Sequence, residues 1–233
     1  MSDAAALQKV LGVTFRDPAL LEQALVHSSY VNENPTAVSG HNERLEFLGD
    51  AVLDLIVAGK LYREFPDLSE GAMTKLRAAL VTRDTLARVA LGIGLGGFLY
   101  LGKGEEASGG RNKPPNLAAA LEAVIAAIYL DLGEAAATDV VSRLLAEEWL
   151  RVTRQGTAVD FKSRLQEVTQ SRLQVTPVYR LVAETGPDHD KRFTVKVMAA
   201  EKVLATGTGK NKKTAEMEAA RQALEGLEAD FTD

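Results

Sequence analysis

Through the first two thirds of the chain, apolar residues recur every three or four positions, the spacing of one helix face. In PALLEQALVH, Leu20, Leu21, Ala24 and Leu25 form such a stripe. Asp17-Pro18 ahead of it supplies an N-cap and a proline at the first helical position, so a helix ending near Ser28 is expected. A polar stretch, NENPTAVSGH, precedes a second run from residue 42 to about 65. Ser69 is placed to cap a third helix, from about 70 to 81. Thr82 or Asp84 opens a fourth, which stops at Gly92, Gly94, Gly96 and Gly97. Beyond LGKGEEASGGRNKPP, residues 116 to 132 are apolar on all sides, which suits the centre of a domain or a subunit contact. Gly133 caps that helix, and a last one is expected from about 134 to 154.

The period then changes. Gln155-Gly156-Thr157 reads as a short linker, residues 160–170 as a helix, 177–183, 192–199 and 202–206 as strands, and 212–227 as a helix again. The expected organisation is an all-α domain over 1–154, a linker over 155–159, an α-β-β-β-α domain over 160–228 and a tail over 229–233.

Composition narrows the chemistry. The 233 residues hold no cysteine, which excludes disulfides, thiolate zinc sites and a cysteine nucleophile, leaves oxygen or imidazole to bind any metal, and is compatible with a reducing cytoplasm. The start, MSDAAALQKVLG, lacks the basic and apolar regions of a secretory leader, and no run of a membrane-spanning kind is expected. A cytoplasmic location is the resulting expectation. The net charge of −5 is unevenly spread. Residues 1–154 carry 15 basic and 20 acidic side chains, whereas 155–233 carry 12 of each, and Lys191 to Lys213 holds seven basic residues against Glu201 alone. A local patch of that kind binds phosphates whatever the total charge.

The sharpest feature is HNERLEFLGD. At 100° per residue Glu43, Glu46 and Asp50 share one narrow face of a helix whose Leu45, Leu48, Val52 and Leu53 are apolar. Such crowding is unfavourable without a counter-cation, and Mg²⁺, which typically takes one or two carboxylates and keeps several waters, is the natural one. A solvated acidic face is the other reading of the same spacing. Glu122 stands alone in the apolar run LAAALEAVIAAIYL, where a carboxylate needs a partner or a metal. Glu70 has a helix-capping role as its alternative. His27, His41 and His189 are scattered along the chain and do not read as catalytic residues. The glycine-rich stretches lack the Lys-Ser/Thr of a phosphate loop, so no nucleotide cofactor is expected.

NERLEFLGD, SEGAMTKLRAALV and LEAVIAAIYLD, in this order and spacing, resemble the endonuclease domain of bacterial ribonuclease III over nearly all of residues 1–150. The resemblance implies a homodimeric, all-helical nuclease that cuts double-stranded RNA with Mg²⁺, for which Mn²⁺ substitutes. Each subunit cuts one strand, leaving 5′-phosphates and short 3′ overhangs, and structured RNAs such as ribosomal precursors are the implied substrates. Glu46, Asp50 and Glu122 match family metal ligands, Glu43 and Glu70 match acids tied to RNA contact and catalytic support, and Phe47 matches an aromatic that plugs the partner subunit. From the residues alone, Phe47 is equally a core residue. One position departs from the pattern: three residues before Glu122 the family usually has a ligating Asp, and here stands Ala119.

Residues 160–228 resemble a double-stranded RNA-binding domain through DFKSRLQEVTQ, GPDHD and GTGKNKKTAEMEAARQAL. The resemblance implies RNA contacts from Lys162, Ser163, Gln166 and Glu167 on the first helix, Pro187 and His189 in a loop, and Asn211, Lys212 and Lys213 where the last helix begins. Duplex RNA is read by shape across its shallow minor groove and by phosphate contacts, which calls for separate polar and basic patches on one face. A helix N-terminus beside two ammonium groups suits a phosphate. Two competing readings are a duplex binder that does not cut, because Ala119 leaves the metal site short, and a phosphohydrolase acting on small molecules.

Overall fold

The computed structural model describes residues 4–34, 40–187 and 191–229, with side-chain surroundings for all of these except 154–160 and 228–229. The chain divides into two compact units, one built from residues 1–66 and 73–152 and the other from 67–72 and Thr153 onward, so that the helix Glu70–Leu80 begins in the second and continues in the first. The helices of the first are α1 (Ala4–Leu11), α2 (Pro18–Ala24), α3 (Ser28–Glu33), α4 (Glu43–Glu64), α5 (Glu70–Leu80), α6 (Arg83–Gly92), α7 (Lys103–Ala107), α8 (Pro114–Leu132) and α9 (Glu134–Leu144). A further helix, α10 (Ala146–Leu173), begins there and runs into the second unit.

Local chemistry explains the boundaries. The Asp17 side chain accepts a hydrogen bond from the Ala19 amide, with Pro18 at the first position of α2. Thr82 caps α6 through the Thr85 amide. Gly133 ends α8 at a φ of 88°, open to glycine at little cost. The helix expected to end near Ser28 stops at Ala24, because the chain turns extended there: Val26 bridges to Tyr100, and His27 caps α3 through the Ser29 amide.

Helix α8 is the axis of the first unit. By length and composition alone it could cross a membrane. In this fold Leu117, Leu121, Val124, Ile125 and Ile128 are instead buried among its neighbours, with Leu45, Val52, Leu53 and Ile56 of α4. The glycine-rich stretch before it is held by Arg111, whose Nη1 donates to the carbonyls of Gly96, Gly97 and Leu99 at 2.9, 3.3 and 3.0 Å. Gly96 has a packing role, since a methyl group on it would lie 2.1 Å from the Arg111 carbonyl oxygen.

In the second unit β1 (Val178–Thr185), β2 (Arg192–Ala199) and β3 (Lys202–Gly209) form an antiparallel sheet in that order, and α11 (Lys212–Ala229) follows. Alternation along β2 turns Val195, Val197 and Ala199 inward. Val197 packs with Leu165 of α10 and Ala219, Ala220, Ala223 and Leu224 of α11. Gly207 lets α11 approach, since a methyl group there would lie 2.1 Å from the Ala219 nitrogen. The expected linker around 155–159 is helical backbone within α10. One glycine costs a helix interior only about 1 kcal/mol, and Gly156 is flanked by residues with no such cost.

Candidate active site and RNA-binding face

The acids meet where α4 crosses α8. Gly49 makes the crossing possible: a methyl group on it would lie 1.8 Å from the Glu122 carbonyl oxygen, so any larger residue would force the helices apart. Glu46 and Asp50, three residues before and one after Gly49, are thereby carried to Glu122. Asn42 fixes the start of α4 by donating from its amide nitrogen to the Val26 carbonyl at 2.9 Å.

The electrostatics report the juxtaposition. Burial, then the charges of Asp50 and Glu46, push the Glu122 carboxyl up to about 7, with Arg83 opposing and Asp54 adding to the rise. Glu46 is raised as well, first by burial and then by Glu43 and Asp50, against Arg83 and His27. Four acids thus share one field at a helix crossing, the condition under which a cation is most strongly favoured. They form no closed chelate: among the described residues no three His, Asp or Glu side chains are gathered tightly around a point. A Mg²⁺ ion held there would therefore have to take few of these carboxylates and keep water between itself and the rest. Ala119, one turn before Glu122 on α8, offers no donor atom.

Of the remaining expected residues, Glu43 is exposed with its carboxylate 3.7 Å from His41, and Glu70 is exposed in the first turn of α5. Phe47 is 81% exposed, so it is not a core residue. It lies beside an open groove of about 650 Å³ whose walls include Leu20, Gln23, Leu45 and Leu130.

Three contributors escaped the sequence reading. Gly49 had a signal, a glycine inside an otherwise regular helix. Asp54 lies four residues beyond Asp50, with Oδ1 buried and without a hydrogen-bond partner and Oδ2 3.7 Å from Arg77. Arg83 had none, since its approach to Glu46 and Glu122 depends on how α6 packs.

In the second unit Ser163, Gln166, Glu167, Gln170 and Ser171 line one polar side of α10, along an open groove of about 510 Å³. Lys162 is tied inward, its ammonium 2.7 Å from Glu216 and 4.4 Å above the Tyr179 ring. Asn211 caps α11, its side-chain oxygen accepting from the Thr214 amide at 2.8 Å. Lys212 and Lys213 are exposed at the start of α11, with Lys212 3.5 Å from Glu184. Pro187 is exposed, and His189 lies outside the described residues.

Residues 17–148 match the ribonuclease-III-like family, and residues 161–227 match the double-stranded RNA binding motif. The chain is 54% identical over 232 residues to Ribonuclease 3 of Dehalococcoides mccartyi strain 195, covering 100% of this chain and 98% of that one. It is 47% identical over 230 residues to Ribonuclease 3 of Syntrophobacter fumaroxidans, covering 97% and 95%. The chain belongs to the ribonuclease III family. Among solved structures, the nuclease domain of ribonuclease III from Campylobacter jejuni is similar at 42% identity and a TM-score of 0.58, over 64% of this chain and 97% of that domain. This ribonuclease III is a double-stranded RNA-specific endoribonuclease with a helical nuclease domain and an α+β RNA-binding domain. Ala119 gives the non-cutting alternative its one feature, and the family relationship outweighs it; nothing favours the small-molecule phosphohydrolase.

Proposed function

We propose that Glu46, Asp50 and Glu122 hold Mg²⁺, with Mn²⁺ able to replace it, and that this ribonuclease hydrolyses phosphodiesters in both strands of duplex RNA. The carrying observation is the meeting of Glu46, Asp50 and Glu122 at the Gly49 crossing, where burial and then the charges of Asp50 and Glu46 push the Glu122 carboxyl up to about 7. A divalent ion supplies charge neutralisation at the phosphate and a water acidic enough to act as nucleophile near neutral pH. Glu46 and Asp50 present their oxygens from successive turns of α4, and Glu122 faces them across the crossing. Glu43 and Glu70 serve RNA contact and catalytic support, and Arg83 moderates the repulsion among the acids. Products carry 5′-phosphates and short 3′ overhangs.

Duplex RNA is gripped on the second unit by Ser163, Gln166 and Glu167 of α10, by Pro187 and His189, and by Asn211, Lys212 and Lys213. The domain roles follow: nuclease over 1–154, RNA binding over 160–228, with 155–159 joining them as helix and 229–233 as a tail. The enzyme works as a homodimer through Phe47, in the cytoplasm, on structured RNAs such as ribosomal precursors, without a nucleotide cofactor or a membrane. A Campylobacter jejuni nuclease domain described as flexible in a region involved in dimer formation supports the dimer. The test is cleavage of a labelled RNA duplex with Mg²⁺ by the parent, Glu122→Gln and Ala119→Asp. Cleavage by the parent that Glu122→Gln abolishes is expected, with Ala119→Asp lowering the Mg²⁺ concentration needed by roughly tenfold, as one further ligand does. Undiminished cleavage by Glu122→Gln would remove that residue from the site.

A further inference from the structure

The residue pattern that marks Lys162 as an RNA contact is answered differently by its surroundings. Its ammonium bonds the Glu216 carboxylate at 2.7 Å and sits 4.4 Å from the centre of the Tyr179 ring. Those three residues lie on α10, α11 and β1, the elements that close the core of the second unit around Leu165, Ala219 and Ala220. Lys162 is only about one third exposed and Glu216 less, so the pair is partly shielded from water and salt.

The placement matters for a reader of shape. Gln166 and Glu167 lie one turn beyond Lys162 on α10, and Lys212 and Lys213 one turn before Glu216 on α11. Groove and phosphate spacings in duplex RNA are fixed, so the two patches work together only if the helices keep their register. One residue of slip along a helix shifts a patch by about 1.5 Å. An ammonium held between a carboxylate and a ring on two other elements opposes that slip.

We infer that Lys162 is a positioning residue, whose bridge between Glu216 and Tyr179 holds the polar face of α10 in register with the basic start of α11, and that it does not itself contact phosphate. This rests on the reading of the second unit as a duplex-RNA binder. It departs from the sequence pattern, which places Lys162 among the contacts.

The test is duplex-RNA affinity of the full chain, in chelator to prevent cleavage, across a range of salt. A phosphate contact contributes about one unit to the slope of log affinity against log salt, whereas a positioning residue changes affinity and leaves the slope alone. Lys162→Met and Glu216→Gln are each expected to weaken binding about fivefold at unchanged slope, the scale of a partly shielded ion pair with a ring contact. The exchange Lys162→Glu with Glu216→Lys restores most of the affinity, and this arm holds even if a single variant folds poorly. A slope reduced by about one in Lys162→Met, with Glu216→Gln binding normally, would overturn the inference and return Lys162 to the contacts. Equal binding by parent and all variants would overturn it too. A parent that ignores duplex RNA would instead overturn the reading on which it rests.

Discussion

Glu122 shows what a carboxylate set at a helix crossing costs the fold that carries it. Its carboxyl is pushed from an ordinary value near 4.5 to about 7 by burial and by Asp50 and Glu46. Between those pH values the folded chain keeps a proton that the unfolded chain has released, so stability falls as pH rises through the window and stays lower above it. Glu122→Gln has no proton to lose. In chelator the variant is therefore expected to be more stable than the parent at pH 8, by about 2 kcal/mol once the shift is discounted for the solvent that reaches this half-buried group, and no more stable at pH 4. Thermal melts at the two pH values check this; the same difference at both would mean that the Glu122 carboxyl is not pushed up in the folded chain. Tyr179 makes a second case, with its hydroxyl buried, without a hydrogen-bond partner, and pushed up to about 12 by burial and the Glu216 charge. Removing such a hydroxyl relieves an unmade hydrogen bond, so Tyr179→Phe should raise the melting temperature, by about 1 kcal/mol in stability, and a lower one would show that the hydroxyl has a partner. Glu43, Glu46 and Asp50 were legible because helical geometry alone puts them on one face. Arg83 was not, because no local rule connects the start of α6 to α4 and α8.

At the scale of elements the controlling feature is the Gly49 crossing. A methyl group 1.8 Å from a backbone carbonyl cannot be relieved by a side-chain rotation, so α4 and α8 must separate. Overpacking of that kind costs typically 1–3 kcal/mol, and a displacement of about 1 Å at reacting groups costs on the order of a hundredfold in rate. Gly49→Ala is therefore expected to lose about a hundredfold in cleavage rate along with a few kcal/mol of stability, measured by cleavage rate and thermal melt together. Gly92, with nothing within 4 Å, is the control, and Gly92→Ala should leave both nearly unchanged. Equal activity in the two variants would show that the crossing does not set the site. Helix boundaries with a capping residue, such as Asp17-Pro18 and Thr82, were legible to within a residue or two. The continuity of α10 was not, because Gln155-Gly156-Thr157 has the composition of a linker while the backbone through it stays helical. Nor was the stop at Ala24, which is set by the pairing of Val26 with Tyr100, a residue far along the chain.

At the scale of the molecule the unexplained feature of a lone protomer is Phe47. An exposed phenylalanine is ordinary by itself, but this one stands at 81% exposure one residue from the acids of α4, beside a groove lined by Leu20, Leu45 and Leu130. A two-fold contact uses each such pair twice, with each ring entering the partner's groove. Burying one phenylalanine contributes about 2 kcal/mol, so the two together contribute about 4, or roughly a thousandfold in the dimerisation constant. Phe47→Ala should shift the protein to monomer at concentrations where the parent is dimeric, read by analytical ultracentrifugation over a dilution series. The same variant tests the division of labour between protomers. If each set of acids cuts one strand, as proposed, a double-strand cut needs two chains on one duplex, whereas duplex binding by the second unit does not. Phe47→Ala should therefore keep affinity for a duplex at low occupancy while losing coupled cleavage of both strands. A variant that stays monomeric and still cuts both strands together would show that one protomer suffices.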